Sequence, residues 1–490
     1  GARRPGGLAG RLLFGLALAW SLFQLYIASP LPFLLPGLLL LDDTESRTIH
    51  LAFAFVLAFA AFPAHGHAPR DRIPALDWAL ALIAAASCLY INFFYAELSR
   101  RSGSAVMQDV VVASVGLVCL LEATRRAIGV PLVIVACLFI VYTFAGPYMP
   151  DLIAHRGMSL GRFADHMWLS TEGVFGIAIG VSTSTVFLYV LFGTLLDQAG
   201  AGNYFMKLCF ALLGHLRGGP ANAAVVSSAL NGLFSGSAIA NVVTGGLFTI
   251  PLMKRVGFSA EKAAAVEVSS SLNGQIMPPV MGAAAFLIAE SVGVPYVEVV
   301  TSAFIPAVIS YIALFYIVHL EAVKQRMPIL PRRTIASPAQ RLLGWTMTVI
   351  VSFMATAILY YGLGALRGLL PGGSTIVTFL LFALTYIVLL WNACRYPPLE
   401  LDDPSTKVYE LPETWPTLMA GLHHRLPVIV LICGLMVDEM SAGLAAYWAI
   451  LSLVVITTTQ RPLAVLLRGE GDVAGEFRLG ARDLLLGLVA

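Results

Sequence analysis

Long apolar runs separated by short charged clusters organise this chain. A helix needs about 20 mostly apolar residues to cross the hydrocarbon of a bilayer, and runs near that length occur at 12–28, 48–62, 74–93, 105–123 and 129–145. Lys and Arg mark the inner side of short loops. With the basic N-terminus inside, the acidic turn of Asp42, Asp43 and Glu45 falls outside, and Arg70, Arg72, Arg125 and Arg126 fall inside. Arg100 and Arg101 fall outside and break the rule. The segment 159–168 places Leu160, Phe163, Met167 and Trp168 near one helical face, the pattern of an interfacial helix.

The pattern then changes. A run at 174–195 spans, but residues 218–255 hold two arms too short to cross, split by Ser235, Gly236 and Ser237. Arg217 precedes the first arm, and Lys254 and Arg255 follow the second. Basic flanks at both ends predict a re-entrant hairpin that enters and leaves on the inner side. Residues 261–290 read as a broken helix, with half-helices at 261–272 and 280–290 around "NGQIMPP". A helix at 300–320, a basic linker (Lys324, Arg326, Arg332, Arg333, Arg341), helices at 342–361 and 374–391, a polar linker (Asp402, Asp403, Glu410, Glu413) and a pair at 426–437 and 444–458 complete the path. The predicted fold class is an all-α polytopic membrane protein: an N-terminal helical scaffold (1–128), a first repeat carrying hairpin and broken helix (129–340), and further helices (341–490).

Composition agrees. Of 490 residues, 58% are hydrophobic and only 12% charged, against about a quarter charged in soluble domains. A net charge of +2 with scattered basic clusters gives no nucleic-acid footprint. Six cysteines without a CxxC pattern read as packing residues, and the pairs His65 and His67, His423 and His424 read as loop residues, so no transition-metal site is expected. The N-terminal apolar run reads as the first spanning helix and not a cleaved signal.

Non-helical backbone at membrane depth survives only inside protein or facing a wet cavity. Transporters use such breaks because half-helix N-termini attract anions, while unwound carbonyls and side-chain oxygens replace water around a small cation. Ser235, Ser237 and Asn241 supply oxygens at the hairpin tip. At the second break Ser269, Ser270, Ser271, Asn273 and Gln275 crowd around Gly274, and Pro278 and Pro279 lack N–H groups. A hard cation such as sodium takes oxygen ligands, by analogy with calcium and magnesium. Glu267, on the first half-helix, is the candidate for proton coupling, with a packed, hydrogen-bonded position as its other reading. Small residues that merely allow close packing, and a proline that merely kinks, would explain one break; two within about 40 residues favour a transport site.

The stretches "SGSAIANVVTGGLFTIPLMKR" and "SSSLNGQIMPPVMGAAAFLIAE" resemble the membrane permease of tripartite ATP-independent periplasmic (TRAP) transporters, in its fused small-and-large form with TAXI-type binding proteins. The resemblance implies a secondary transporter of the bacterial inner membrane that imports organic anions, carboxylates, delivered by a TAXI-type periplasmic binding protein. It needs no cofactor beyond sodium or protons as coupling ion, and no GxxxxGK[ST] loop is present. It places the cation on Ser235, Ser237, Asn241, Asn273, Gly274 and Ile276, with Ser270, Ser271, Gln275, Pro278 and Pro279 facing the substrate. The family pattern often has Gly where Asn273 stands. The family carries two inverted repeats, and no second Ser-Gly-Ser hairpin or Asn-Gly-to-Pro-Pro break follows residue 320. "RLGARDLLLGLVA" at 478–490 echoes "SLGRFADHMWLS" at 159–170, so a second repeat is expected to start where the chain stops, the chain being a fragment, a truncated reading frame or one piece of a split permease whose separate C-terminal half is a partner.

Two other classes remain. An intramembrane enzyme acting on a lipid or phosphate group would use polar half-helix ends, but no Asp-Asp or Ser-His pair and no HExxH motif stands in the apolar runs. A non-transporting membrane scaffold leaves the hairpin unexplained.

Overall fold

A backbone in hydrocarbon has no water to satisfy its polar groups, so helices are the economical solution, and among the described residues no strand is present. The computed structural model describes residues 3, 5–35, 37–101, 103–327, 329, 374–399, 411–469 and 471–490, without the side chains of Phe234, Ser235, Thr244 and 374–378. The helix expected at 342–361, the linker residues Arg332, Arg333, Arg341, Asp402, Asp403 and Glu410, and the Ser235 side chain lie outside the described residues.

Among the described residues seven helices are long and apolar enough to cross a membrane, and the pair Thr414–Ala420 and Leu422–Met436, bent by 59°, adds an eighth if it forms one span. Contacts divide the chain into two units, Gly1–Phe187 with Leu488–Ala490, and Leu188–Gly487.

The first unit contains α1 (Gly7–Ala28), α2 (Asp43–Ala61), α3 (Ala75–Phe93), α4 (Met107–Ala127) and α5 (Val130–Ala145). Asp42 and Glu45 form a reciprocal capping box that starts α2. Asp43, Glu45, Arg47 and His50 occupy its first turns. That polarity keeps α2 out of the seven, although a crossing was expected from 48–62. It packs at the centre of the unit, with Phe55 and Phe59 buried against Ala81, Ala84 and Cys88 of α3 and Ala113 of α4. Small residues on α3 and α4 let the helices approach closely.

Ion pairs tie the ends of these helices. Asp77, opening α3, is buried between Arg3 at 2.6 Å and Arg126 at 2.7 Å. At the opposite end of α3 and α4, Asp109 accepts hydrogen bonds from Arg101 at 2.8 Å and Tyr90 at 2.7 Å. Arg101, one of the two misfits in the charge count, is thus half of an acid–base pair that a count of basic residues does not see. The segment expected to lie along the membrane behaves differently too. Leu160–Ala164 runs into a π turn, Asp165–Leu169, and Trp168 is fully buried, its indole N–H donating to Ser87 O at 3.2 Å. A Cβ on Gly116 would come within 2.2 Å of that ring, so Trp168 and Phe163 of the apolar face meet protein, while Leu160 stays exposed.

The division between units falls inside α6 (Ile177–Gln198). The second unit continues with α7 (Ala201–Leu213), a helix the hydropathy pattern did not single out. It then holds the hairpin arms α8 (Gly219–Ser235) and α9 (Ala238–Arg255), the half-helices α10 (Ala260–Gly274) and α11 (Ala283–Val292), and the 29-residue α12 (Tyr296–Lys324). Beyond the undescribed stretch come α13 (Ser374–Ala393) and α14 (Ala442–Arg468).

The two ends of the hairpin lie together. Ala221 at the start of α8, Met253 at the end of α9 and Phe258 just past it share one buried cluster with Val318 and Ala322 at the C-terminal end of α12 and Met327 just past it. Lys262, in the first turn of α10, pairs with Glu321 at that same end. Entry and exit on one side is what the like-charged flanks predicted.

Candidate functional site

The hairpin reverses at Gly236, whose φ of +58° ends α8 in the left-handed region. A Cβ there would lie 2.6 Å from the carbonyl oxygen of Met281, so only glycine serves both the turn and the contact. That contact is the central geometric fact: the hairpin tip touches the loop of the broken helix. Ser237 caps α9, its hydroxyl accepting from Ala240 N at 3.3 Å.

Behind the tip, α8 and α10 cross backbone to backbone. A Cβ on Gly232 would lie 2.5 Å from the Cα of Gly274, and one on Gly274 would lie 3.1 Å from the Cα of Gly232. Asn241 packs beside this crossing, fully inside the protein, and its Nδ2 donates to Ser228 O at 3.2 Å. Its Oδ1 is buried without a hydrogen-bond partner, and so is Oδ1 of Asn231, the residue before Gly232. A buried amide oxygen left unpaired costs roughly 1–3 kcal/mol, so two such oxygens flanking one crossing point to a ligand that takes them.

A second polar cluster lies one layer along the same helices. Glu267 of α10 is wholly buried. Its carboxyl oxygens accept from Thr249 Oγ1 of α9 at 2.5 Å and from Ser271 Oγ at 3.3 Å, with the hydroxyl of Ser228 in reach. A Cβ on Gly245 would come within 3.0 Å of Glu267 Oε1, so the Gly245-Gly246 pair in α9 makes room for the carboxyl. Among the described residues no cationic side chain pairs with it.

The break itself is tightly tied. After Gly274 the amides of Gln275, Ile276 and Met277 fold back onto the carbonyls of Leu272, Asn273 and Gly274 at 3.1, 3.2 and 3.1 Å. Gly282 N then closes the loop on Gln275 O at 2.7 Å. The single hydroxyl proton of Tyr296 is shared between Pro279 O at 2.8 Å and Val280 O at 2.6 Å, and its ring stacks on Phe286 of α11 with centroids 4.2 Å apart. Tyr311, halfway along α12, donates to Ser270 O at 2.8 Å. Tyr296→Phe is expected to leave these two carbonyls short of a donor and cost about 1–3 kcal/mol, read as a lower thermal midpoint in detergent with no change in helix content at 20 °C by circular dichroism (about room temperature).

The residues named from sequence are therefore distributed as follows. Asn241 and Gly274 meet at the crossing, Ser237 caps the arm beside the tip, Asn273 is in the last turn of α10, and Ile276 lies on the turn that follows it. The hydroxyls of Ser270 and Ser271 are enclosed and bonded to Glu267. Gln275 is exposed, whereas Pro278 and Pro279 are buried. The sequence reading missed Ser228, Asn231, Gly232, Gly245, Thr249, Tyr296 and Tyr311. One signal was available: Leu-Asn-Gly occurs twice, at 230–232 and 272–274, and the glycines of the two copies are the pair that cross.

Residues 115–468 match the DctM component of the tripartite ATP-independent periplasmic transporters. The chain is 24% identical to the uncharacterized protein YgiK of Salmonella typhimurium, over 42% of this chain and 44% of that one. It is 28% identical to the C4-dicarboxylate TRAP transporter large permease protein DctM of Pseudomonas aeruginosa, over 33% of this chain and 39% of that one. The ectoine TRAP transporter large permease protein TeaC of Halomonas elongata is 30% identical over 19% and 22%. The chain thus aligns with less than half the length of these relatives. A match over most of the chain, on top of a hairpin and broken helix packed tip to loop, places it: this chain belongs to the DctM family of TRAP transporter permeases, multi-pass proteins of the inner membrane.

Proposed function

We propose that this chain is the permease part of a binding-protein-dependent secondary transporter that imports a small organic anion down a cation gradient. The observation that carries the reading is the buried, unpartnered Oδ1 of Asn241, set where the hairpin and the broken helix cross. Sodium is the favoured coupling ion, because neutral amide and carbonyl oxygens ligate a hard cation and carry no exchangeable proton. Ser237, Asn273, Gly274 and Ile276 would complete the ligand shell together with Ser235, and Asn231 is added from its own unpaired oxygen. Protons are the second reading, favoured by the buried carboxyl of Glu267 among three hydroxyls.

The relatives are named for C4-dicarboxylate and for ectoine, so membership of the family leaves the substrate open within small carboxylates. A periplasmic binding protein, of the TAXI type by the sequence resemblance, would deliver it, with Gln275 on the accessible side of the break and Ser270, Ser271, Pro278 and Pro279 behind it. A small permease component, supplied by the N-terminal helices, and a second inverted repeat complete the proposed assembly. A permease explains the hairpin, which an enzyme or a scaffold does not.

The test is uptake by proteoliposomes containing the product of the full reading frame and its neighbouring binding protein. Accumulation of a labelled carboxylate under an inward sodium gradient, absent when potassium replaces sodium, is the expected result. Accumulation under a proton gradient alone selects the second reading, and accumulation under neither rejects both.

A further inference from the structure

The C-terminal ends of α13 and α14 enclose an open cavity of about 340 Å³, lined by Trp391, Cys394, Arg395, Leu467 and Arg468. Arg395 lies over the Trp391 ring, 3.8 Å from guanidinium carbon to ring centroid, a cation–π contact that fixes the charge while leaving N–H donors free. Arg468 donates to the carbonyl of Tyr396 at 3.2 Å, which draws the two helix ends together. Among the described residues neither arginine has a carboxylate partner. Asp472, four residues past Arg468, already caps the next helix through Ala474 N at 3.0 Å. Helix dipoles account for basic residues at C-terminal ends; they do not account for two such ends sharing one cavity.

The surface leading to the cavity supplies an independent observation. Leu380, Leu384, Ile387, Val388 and Trp391 are 64%, 61%, 49%, 51% and 49% exposed, and their spacing puts them on one face of α13. Leu466 and Leu467 extend the apolar surface on α14. A face that runs aliphatic, then tryptophan, then paired arginines reproduces the profile of a phospholipid from acyl chain through interface to phosphate. Arg forks match phosphate oxygens bidentately.

We propose that this cavity binds the phosphodiester headgroup of an anionic glycerophospholipid, whose acyl chains lie along the exposed face of α13. The site is separate from the hairpin and does not depend on the coupling ion.

The experiment is native mass spectrometry of the purified, delipidated full chain after addition of equal phosphatidylglycerol and phosphatidylcholine. Wild type is expected to retain phosphatidylglycerol about tenfold over phosphatidylcholine. Arg395→Gln with Arg468→Gln should remove the preference, Arg395→Lys with Arg468→Lys should keep part of it, and Arg70→Gln, in the first unit, should leave it intact. Because both arginines are exposed, the variants are expected to elute as wild type does; if the glutamine pair does not fold, the lysine pair decides by retaining less than wild type or the same. Equal retention by wild type and the variants at Arg395 and Arg468 overturns the proposal. So does displacement of the lipid by millimolar inorganic phosphate, which would make the cavity a site for the free anion.

Discussion

Gly232→Leu is expected to abolish recovery of folded protein. The Cβ alone would sit 2.5 Å from the Cα of Gly274, and the obstacle is backbone on a neighbouring helix, which cannot swing aside as a flexible side chain could. Overpacking in a dense interior costs about 1–3 kcal/mol when side chains can adjust; here α8 and α10 must separate, so the upper end or more is expected. Gly232→Ala should be milder and still lower the thermal midpoint. Ile239→Ala, at a position 79% exposed on the same hairpin, should change it by less than about 0.5 kcal/mol. A Gly232→Leu protein with a wild-type midpoint would show that the two helices do not cross there.

The second large effect concerns the ion. Asn241→Leu keeps much of the side-chain volume and removes the unpaired oxygen, so the apparent sodium affinity should fall about tenfold or more, the equivalent of about 1.4 kcal/mol. Glu267→Gln separates the two coupling readings. Gln keeps one oxygen to accept from Thr249, and its amide N–H can donate to the hydroxyl of Ser271, so sodium-driven uptake should persist at more than about half of wild type, while a proton-driven system would lose its exchangeable proton and stop. Measured initial rates under each gradient distinguish these outcomes.

Much of this arrangement was legible in the residues. The short arms with Arg217 before and Lys254-Arg255 after them foretold a hairpin with both ends at one level, and both ends do pack against the same end of α12. The Asn-Gly and Pro-Pro signals placed the break between α10 and α11 to within a few residues. Hydropathy does not tell protein from lipid as the cover of an apolar face: of the face read as interfacial, Trp168 is fully buried and Leu160 is exposed. On α2 it missed only the start: the helix begins at Asp43, five residues before the apolar run, with its polar first turns satisfied by capping and by neighbours such as Asn92.

The site was legible only in part. Serines and asparagines near a break announce oxygens, but which of them remain unpaired depends on their neighbours. Ser270 and Ser271 turned to Glu267, while Asn231, within an unremarkable helix arm, kept a buried free oxygen. Tyr296 and Tyr311 reach the break from α12, far along the sequence, and no local pattern marks them.

The decisive measurement is the thermal unfolding midpoint of the purified chain as sodium replaces choline at constant ionic strength. A cation held at the crossing stabilises the folded state by mass action, about 2.7 kcal/mol at one hundred times its dissociation constant. The expected result is a midpoint that climbs with sodium in wild type and stays flat in Asn241→Leu. A midpoint indifferent to sodium in wild type, or one that climbs equally in both proteins, would contradict a sodium site at the crossing of hairpin and broken helix.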